Sequence, residues 1–331
     1  VPRPSEDDLI ASYFAPLAGA GGLGLRDDAA RLALPNGHEM VLTKDVLIAG
    51  VHFFGDDPPA EIARKALRVN LSDLAAKGAE PLGFLLGLAL PPDWTTDWLE
   101  AFAQGLGQDG AAFECPLLGG DTVKTPGPLS ISVTAIGAVP AGKMVPRPGV
   151  EAGDRLYVSG TIGDAALGLR LRLDAQSGRS WIAGVSEITA AFLRQRYLLP
   201  EPRIGLRQAL RTYARAAMDI SDGLAGDLAK MLRLTGMTAE IAVENIPLSP
   251  AAKEVLAREP KLIETALTGG DDYEILCAVP STACALFEAA AATAGIAVKS
   301  IGTAEAGDAP PRFNDEEGRA LIFAQSSFQH F

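Results

Sequence analysis

The sequence predicts an α/β protein with α+β layering, in two α/β domains at residues 1–140 and 141–331. Three observations lead there. Helical and strand-like patterns alternate along the whole chain. A length of 331 residues gives room for two separate cores. The Pro- and Gly-rich stretch Val139–Gly153 reads as a linker between them.

Ser5 opens the first helix. Asp8 follows three residues on, as in a capping box, and Leu9, Ile10, Tyr13, Phe14 and Leu17 make the apolar stripe. Gly19-Ala20-Gly21-Gly22-Leu23-Gly24 then spells G-x-G-x-x-G. A dinucleotide fingerprint must follow a strand and open a helix, and this one follows a helix, so a loop is expected instead. Asp27-Asp28 precede short strands at Ala30–Leu34 and Met40–Ile48. The second strand carries Thr43-Lys44-Asp45, and His52 follows its end. Pro58 and Pro59 open a long helix to about Lys77, which contains Asn70-Leu71-Ser72-Asp73 and is stopped by Gly78. A strand around Leu82–Leu90, a helix over Trp94–Ala112 and the segment Cys115–Leu118 come next, the last ending in Gly119-Gly120-Asp121-Thr122. Alternating Leu129, Ile131, Val133 and Ala135 complete the first half as a strand.

The second half repeats the style. A strand at Arg155–Ser159 is followed by helices at Gly163–Leu173, Val185–Tyr197 and Ile204–Ala217. Then come a strand (Glu240–Val243), a helical segment (Pro250–Leu267), Thr268-Gly269-Gly270-Asp271-Asp272, a strand (Tyr273–Val279), a helix (Thr282–Ala294) and a last strand (Ala297–Ile301). Between these lies Met218-Asp219-Ile220-Ser221-Asp222-Gly223-Leu224, at a corner leading into a helix with Leu224, Leu228, Met231 and Leu232 on one side. Ser221 or Asp222 is a natural N-cap there, because its side-chain oxygen can accept an orphan backbone N–H. Asp219 and Asp222 could also share a hard cation.

A weak internal echo links the halves. Asn70-Leu71-Ser72-Asp73 resembles Asp219-Ile220-Ser221-Asp222, and Gly119-Gly120-Asp121 resembles Gly269-Gly270-Asp271. Asp73 to Asp121 is 48 residues, and Asp222 to Asp271 is 49. The alternatives are two halves of related layout and a coincidence of common turn residues. Unrelated strand order would dispose of the first.

Composition narrows the function. A net charge of −12 argues against nucleic-acid and anionic-membrane partners, which reward clustered Lys and Arg. Three scattered cysteines, Cys115, Cys277 and Cys284, fit a reducing cytosol rather than a disulfide framework. The longest apolar run, around Leu82–Leu90, is the size of a buried strand, and Val1-Pro2-Arg3-Pro4 resembles no signal peptide. A cytoplasmic location is expected.

The acids carry the chemistry. Asp27-Asp28, Asp45, Asp73, Asp121, Asp219, Asp222 and Asp271-Asp272 include several beside Gly or Ser at element ends. Carboxylates repel phosphate but can hold Mg²⁺, which bridges to phosphate oxygens. Gly119-Gly120 would let backbone amides approach the same phosphate. No Walker loop, kinase catalytic-loop set, nucleophile elbow or Cys/His zinc cluster occurs.

With these residues in hand, the chain resembles the thiamine-monophosphate kinase family, in the superfamily of aminoimidazole ribonucleotide synthetase and selenophosphate synthetase. The best segments are Asp27–Ala30, Thr43–Phe53, Lys65–Ala76, Gly119–Thr122, Asp219–Leu224 and Thr268–Glu274. The resemblance implies ATP-dependent conversion of thiamine monophosphate to thiamine diphosphate. It implies an N-terminal ATP/Mg-binding domain whose strands join a partner's in a β-barrel across a homodimer interface, with a C-terminal α/β domain beside it. It implies several Mg²⁺ ions on Asp28, Thr43, Asp45, Asp73, Asp121, Asp219 and Asp222, with Asp121 and Asp222 central to catalysis. Gly120, Asp121, Arg147 and Ser221 would contact ATP, and His52 and Asp271 the thiamine phosphate. The chain departs from the family pattern at Arg26 (usually Gly), Lys44 (usually a hydroxyl residue) and Asp271 (often Glu). Gln325 falls where the tail usually carries an aromatic residue, with Phe323 and Phe328 nearby. Another ATP-dependent synthetase of the superfamily, and a non-catalytic Mg²⁺- or nucleotide-binding regulator, are the competing readings.

Overall fold

The computed structural model describes residues 5–328, so Val1-Pro2-Arg3-Pro4 and the last residues of the tail lie outside it. The fold is mixed α/β with two separate sheets. The chain divides into two compact units, Val1–Leu74 with Ala79–Lys143, and Ala75–Gly78 with Met144–Phe331.

Unit 1 carries α1 (Glu6–Leu9), β1 (His38–Ile48), α2 (Pro59–Ala76), β2 (Glu80–Leu90), α3 (Thr96–Ala112), β3 (Leu117–Lys124) and β4 (Ser130–Pro140). Its sheet is open, in the order β1-β4-β2-β3, antiparallel except for β2 with β3. Side chains alternate across a strand. Val41, Leu47, Phe84, Leu86, Leu88, Ile131, Val133 and Ala135 are therefore on one face, and all are buried. Met40, Leu42, Val46 and Leu85 are on the other, and all are exposed. Between α2 and α3, the carboxylate of Asp109, 1% exposed, receives Arg64 at 3.0 Å and Arg68 at 2.5 Å. Removing Asp109 would leave two cations without their buried partner, which costs about 3–5 kcal/mol in such settings.

Two expectations fail in this unit. Residues 30–34 form no strand, because they find no sheet neighbour; the Arg31 amide instead bonds to the carbonyl of Gly21 in the preceding loop. Gly119-Gly120-Asp121-Thr122 does not end the segment from Cys115 but lies inside β3, which runs on to Lys124. Glycine is required at Gly120, where a Cβ would fall 1.8 Å from the carbonyl oxygen of Leu86 on β2. The first helix also changes character. Ser5 caps α1 by accepting from the Asp8 amide, but the winding continues as a π-turn over Ile10–Phe14 and a 3₁₀ turn over Ala15–Leu17.

Unit 2 carries β5 (Arg155–Ser159), α4 (Asp164–Gln176), α5 (Glu187–Leu198), α6 (Arg207–Tyr213), β6 (Ala216–Asp219), α7 (Leu224–Arg233), β7 (Met237–Ala242), α8 (Pro250–Arg258), α9 (Leu262–Thr268), β8 (Ile275–Val279), α10 (Cys284–Thr293), β9 (Val298–Ala306) and β10 (Arg312–Asn314). The sheet order is β10-β7-β9-β5-β8-β6. Its central strands are buried on both faces. Leu156, Val158, Ala216, Met218, Leu276 and Ala278 pack with Leu224, Leu228, Met231 and Leu232 of α7. Tyr157, Ala217, Ile275, Cys277 and Val279 pack with Leu210 of α6 and Phe287 of α10. That two-sided burial explains the continuous apolar runs in β6 and β8.

The helix expected over Ile204–Ala217 ends at Tyr213, and Ala216 onward is strand. Pairing of Ala216–Asp219 with Ile275–Ala278 overrides the helical preference of its alanines. The segment Pro250–Leu267 breaks into two helices around Pro260, which cannot continue a helix interior. The strand β10 was not expected. Among the described residues no helix is long and apolar enough to cross a membrane.

Candidate active site

In unit 2, β6 delivers Asp219, 6% exposed, to the end of a buried strand. Beyond it the chain stays laced to the segment before β8. Ile220 N–H donates to Glu274 O at 2.8 Å, Tyr273 N–H to Ile220 O at 2.8 Å, and Asp271 N–H to Ser221 O at 2.9 Å. The two acidic motifs of this half therefore form one structure. Asp271 (φ 64°) and Tyr273 (φ 50°) are both left-handed, a conformation such residues keep only when their surroundings hold it. Gly270 (φ 77°) cannot be replaced without strain, since a Cβ would lie 2.4 Å from Ser221 O.

The expected cap is reversed. Neither Ser221 nor Asp222 caps α7; the cap position is Gly223, without a side-chain bond. Asp227, inside the helix, reaches back instead. Its Oδ2 accepts from Ser221 N–H at 3.0 Å and Asp222 N–H at 2.9 Å. A carboxylate can accept both amides at once, which fixes the whole turn. Burial pushes the Asp227 carboxyl above its ordinary pKa, against the Asp222 amide and Lys230, which favour its charged form. Lys230 Nζ lies 2.5 Å from Asp222 Oδ2 and 3.0 Å from Asp227 Oδ1. Burial alone would lower its pKa, but the two carboxylates together hold it above the usual lysine value. The Asp222 carbonyl accepts from Phe328 N–H at 3.0 Å, which ties the tail to the same turn.

A buried charged network centres on Glu274, three residues after Asp271. Glu274, 0% exposed, receives Arg196 at 3.0 Å, Arg203 Nε at 2.6 Å and Ser159 Oγ at 2.5 Å. Asp272 accepts Gly163 N–H at 2.9 Å on both oxygens, at the start of α4. Burial pushes its carboxyl well above the ordinary range, with the Gly163 amide opposing and Asp164 and Glu274 adding repulsion.

In unit 1, a cavity of about 640 Å³ gathers Asp27, Asp28, Gly119, Gly120, Asp121 and Thr122. Thr43 and Asp73 form a separate pair, the Thr43 hydroxyl donating to Asp73 Oδ2. Asp45 shares the Thr43 face of β1, whereas register sets Asp121 beside Gly87 on the opposite face of the sheet. Lys44 points away from Thr43 and donates to Ser132 Oγ at 2.5 Å. His52 Nδ1 accepts from Ile48 N–H at 3.0 Å, so its neutral ring carries the proton on Nε2; Lys65 Nζ donates to the His52 carbonyl at 3.0 Å. Arg147 is exposed in the loop after β4. Among the described residues no three His, Cys, Asp or Glu side chains are gathered as a metal would require.

The internal echo does not survive as local structure. Asp73 lies within α2 and Asp222 in a turn; Gly120 lies within β3 and Gly270 in a loop, and the two sheets have different strand orders. Sequence reading missed Asp227, Lys230, Glu274, Arg196 and Arg203. The one signal available was Asp227 three residues before Lys230 on a helix, a spacing that puts both on one face.

The donor set is carboxylate and hydroxyl oxygen, which suits a hard cation such as Mg²⁺ rather than zinc. Asp222 is paired with the Lys230 ammonium, which neutralises it in this structure.

Comparison with known proteins bears on these sites. Residues 26–139 match the AIR synthase related protein, N-terminal domain, and residues 151–310 match the corresponding C-terminal domain. A thiamine-monophosphate kinase of Caulobacter vibrioides is 46% identical over 304 residues, covering 90% of this chain and 84% of its own. The crystal structure of thiamine-monophosphate kinase from Stenotrophomonas maltophilia K279a superposes with a TM-score of 0.79 at 36% identity, over 90% of this chain and 91% of that one. AaThiL complexed with AMPPCP and TMP superposes with a TM-score of 0.77 at 30% identity, over 98% and 94%.

Proposed function

We infer the activity from one premise: the chain belongs to the AIR synthase related family and, within it, to the thiamine-monophosphate kinases. It transfers the γ-phosphoryl group of ATP to thiamine monophosphate, giving ADP and thiamine diphosphate. The observation that carries this reading is the likeness, over 98% of the chain, to a relative solved with AMPPCP and TMP.

The chemistry follows from the acceptor. It is a phosphate monoester with a second pKa of about 6, so near neutrality it is mostly a dianion. No protein base is needed to make the nucleophile, which fits direct in-line transfer. Repulsion between two anions then dominates the barrier. We assign the holding of several Mg²⁺ ions to Asp28, Thr43, Asp45, Asp73, Asp121, Asp219 and Asp222. Bound there, Mg²⁺ would supply the positive charge that offsets the repulsion between the two anions. We assign ATP contacts to Gly120, Asp121, Arg147 and Ser221, and thiamine phosphate contacts to His52 and Asp271. In unit 2 the turn at Ser221-Asp222 is fixed by Asp227, and Asp271 is fixed to that turn through Ser221, so neither contact needs reorganisation at the moment of transfer.

The protein is proposed to be a cytoplasmic homodimer, with residues 1–140 as the ATP/Mg-binding dimerisation domain and 141–331 as the C-terminal domain. A β-barrel completed by a second copy would cover Met40, Leu42, Val46 and Leu85, whose exposure on an open sheet face supports it. Asp121→Asn and Asp222→Asn test the metal assignment. Each should lower kcat by about 10²-fold or more with the fold intact. Near-normal turnover would remove the assignment. A labelled phosphoenzyme trapped from ATP would contradict direct transfer.

A further inference from the structure

We propose that Lys230 is a built-in counter-ion at Asp222 that competes with the divalent cation for this carboxylate. The inference rests on the reading of Asp222 as a cation ligand. Lys230 sits in the second turn of α7, and its stem runs back along the helix toward the loop. Its ammonium bridges Asp222 Oδ2 at 2.5 Å and Asp227 Oδ1 at 3.0 Å. The two carboxylates differ in their other partners. Asp227 keeps its two amide bonds from Ser221 and Asp222 whether or not the lysine is there, and is 1% exposed. Asp222 and Lys230 are each about a third exposed at the side chain (36% and 35%), so this end of the bridge can open to solvent.

The arrangement has two consequences. Without a metal, the lysine neutralises Asp222 and holds its side chain in one place beside the fixed turn. When a divalent cation takes Asp222, the ammonium must leave that oxygen, because two cations on one carboxylate oxygen repel. Lys230 thus sets a threshold for cation binding. It is a positioning residue, acting through Asp222, and its removal should make cation binding easier rather than harder. A purely structural lysine would show the reverse, since its loss would loosen the turn and weaken binding.

The test is titration of the full-length, nucleotide-free protein with Mn²⁺, following free Mn²⁺ by electron paramagnetic resonance. Lys230→Met, which keeps the apolar stem, should tighten the site that depends on Asp222 by about three- to tenfold, a modest gain because the pair is partly exposed. Lys230→Arg, which keeps the charge, should stay within about twofold of the parent. Asp222→Asn separates the two levels of inference. If it leaves Mn²⁺ binding unchanged, the cation reading of Asp222 is wrong. If it removes a site while Lys230→Met leaves that site unchanged or weaker, the counter-ion role is wrong and the cation reading stands. Thermal melts of each variant verify that the fold is retained.

Discussion

The backbone N–H of Asp271 donates to the carbonyl of Ser221 at 2.9 Å, although 50 residues separate them. That bond extends the β6–β8 pairing past the strand ends and joins the turn assigned to ATP with the residue assigned to the acceptor. The close approach depends on Gly270, which lies against Ser221 O.

Gly270→Ala should therefore act on both functions. A Cβ in a left-handed position against a carbonyl should cost about 1–3 kcal/mol of stability. The KM for thiamine monophosphate should rise by about tenfold, as displacement of a positioned group predicts. Denaturant unfolding and steady-state kinetics measure the two. Unchanged stability with an unchanged KM would show that the lacing is unimportant.

Asp227 touches no proposed ligand, yet its two amide bonds hold the Ser221-Asp222 turn. Asp227→Ala should cost about 1–3 kcal/mol through unmet buried groups. It should lower kcat more than Asp227→Asn, whose amide oxygen retains an acceptor. Equal kinetics for the two variants in folded protein would rule out this role.

Asp272 gives a pH dependence of known sign. Its folded-state pKa is raised well above 3.8, chiefly by burial. The folded protein holds this proton more tightly than the unfolded chain does. The contribution therefore favours folding below the unfolded pKa and fades as the pH rises toward and through the folded one. Asp272→Asn removes the titration. Its stability relative to the parent should accordingly improve as the pH is raised from about 4 toward neutrality. Urea unfolding of both proteins across that range measures the difference, and a relative gain for the parent would contradict the assignment.

The thiols should differ in reactivity. Cys115 is buried and pushed up to about 12, and Cys277 is buried and pushed higher still, both by desolvation. Cys284, half-buried, donates weakly to the Pro280 carbonyl at 3.5 Å. Alkylation of native protein followed by peptide mapping should mark Cys284 first. Early modification of Cys115 or Cys277 would mean that the folded core opens readily.

The mixed α/β layering was legible because strands and helices keep distinct periodicities in β1, β2, α2, α3 and β4. It failed where tertiary pairing outweighed local preference. Ala216-Ala217 read as helix yet pair with β8, and Ala30–Leu34 alternate like a strand without a neighbour to bond. The acidic positions were legible because Asp beside Gly or Ser is conspicuous. Their partners were not. Asp227 looks like an ordinary helix residue until the fold turns its carboxylate back onto Ser221 and Asp222. Glu274 looks like the start of a strand until Arg196 and Arg203 converge on it from elsewhere in the chain. Contacts between distant residues leave no local pattern to read.

The most direct measurement is ADP release by the purified protein with ATP and Mg²⁺, with and without thiamine monophosphate, while thiamine diphosphate is followed chromatographically. Release of ADP that depends on thiamine monophosphate and matches thiamine diphosphate one for one is the expected result. Nucleotide binding without turnover, or ADP release that yields no thiamine diphosphate, would contradict it.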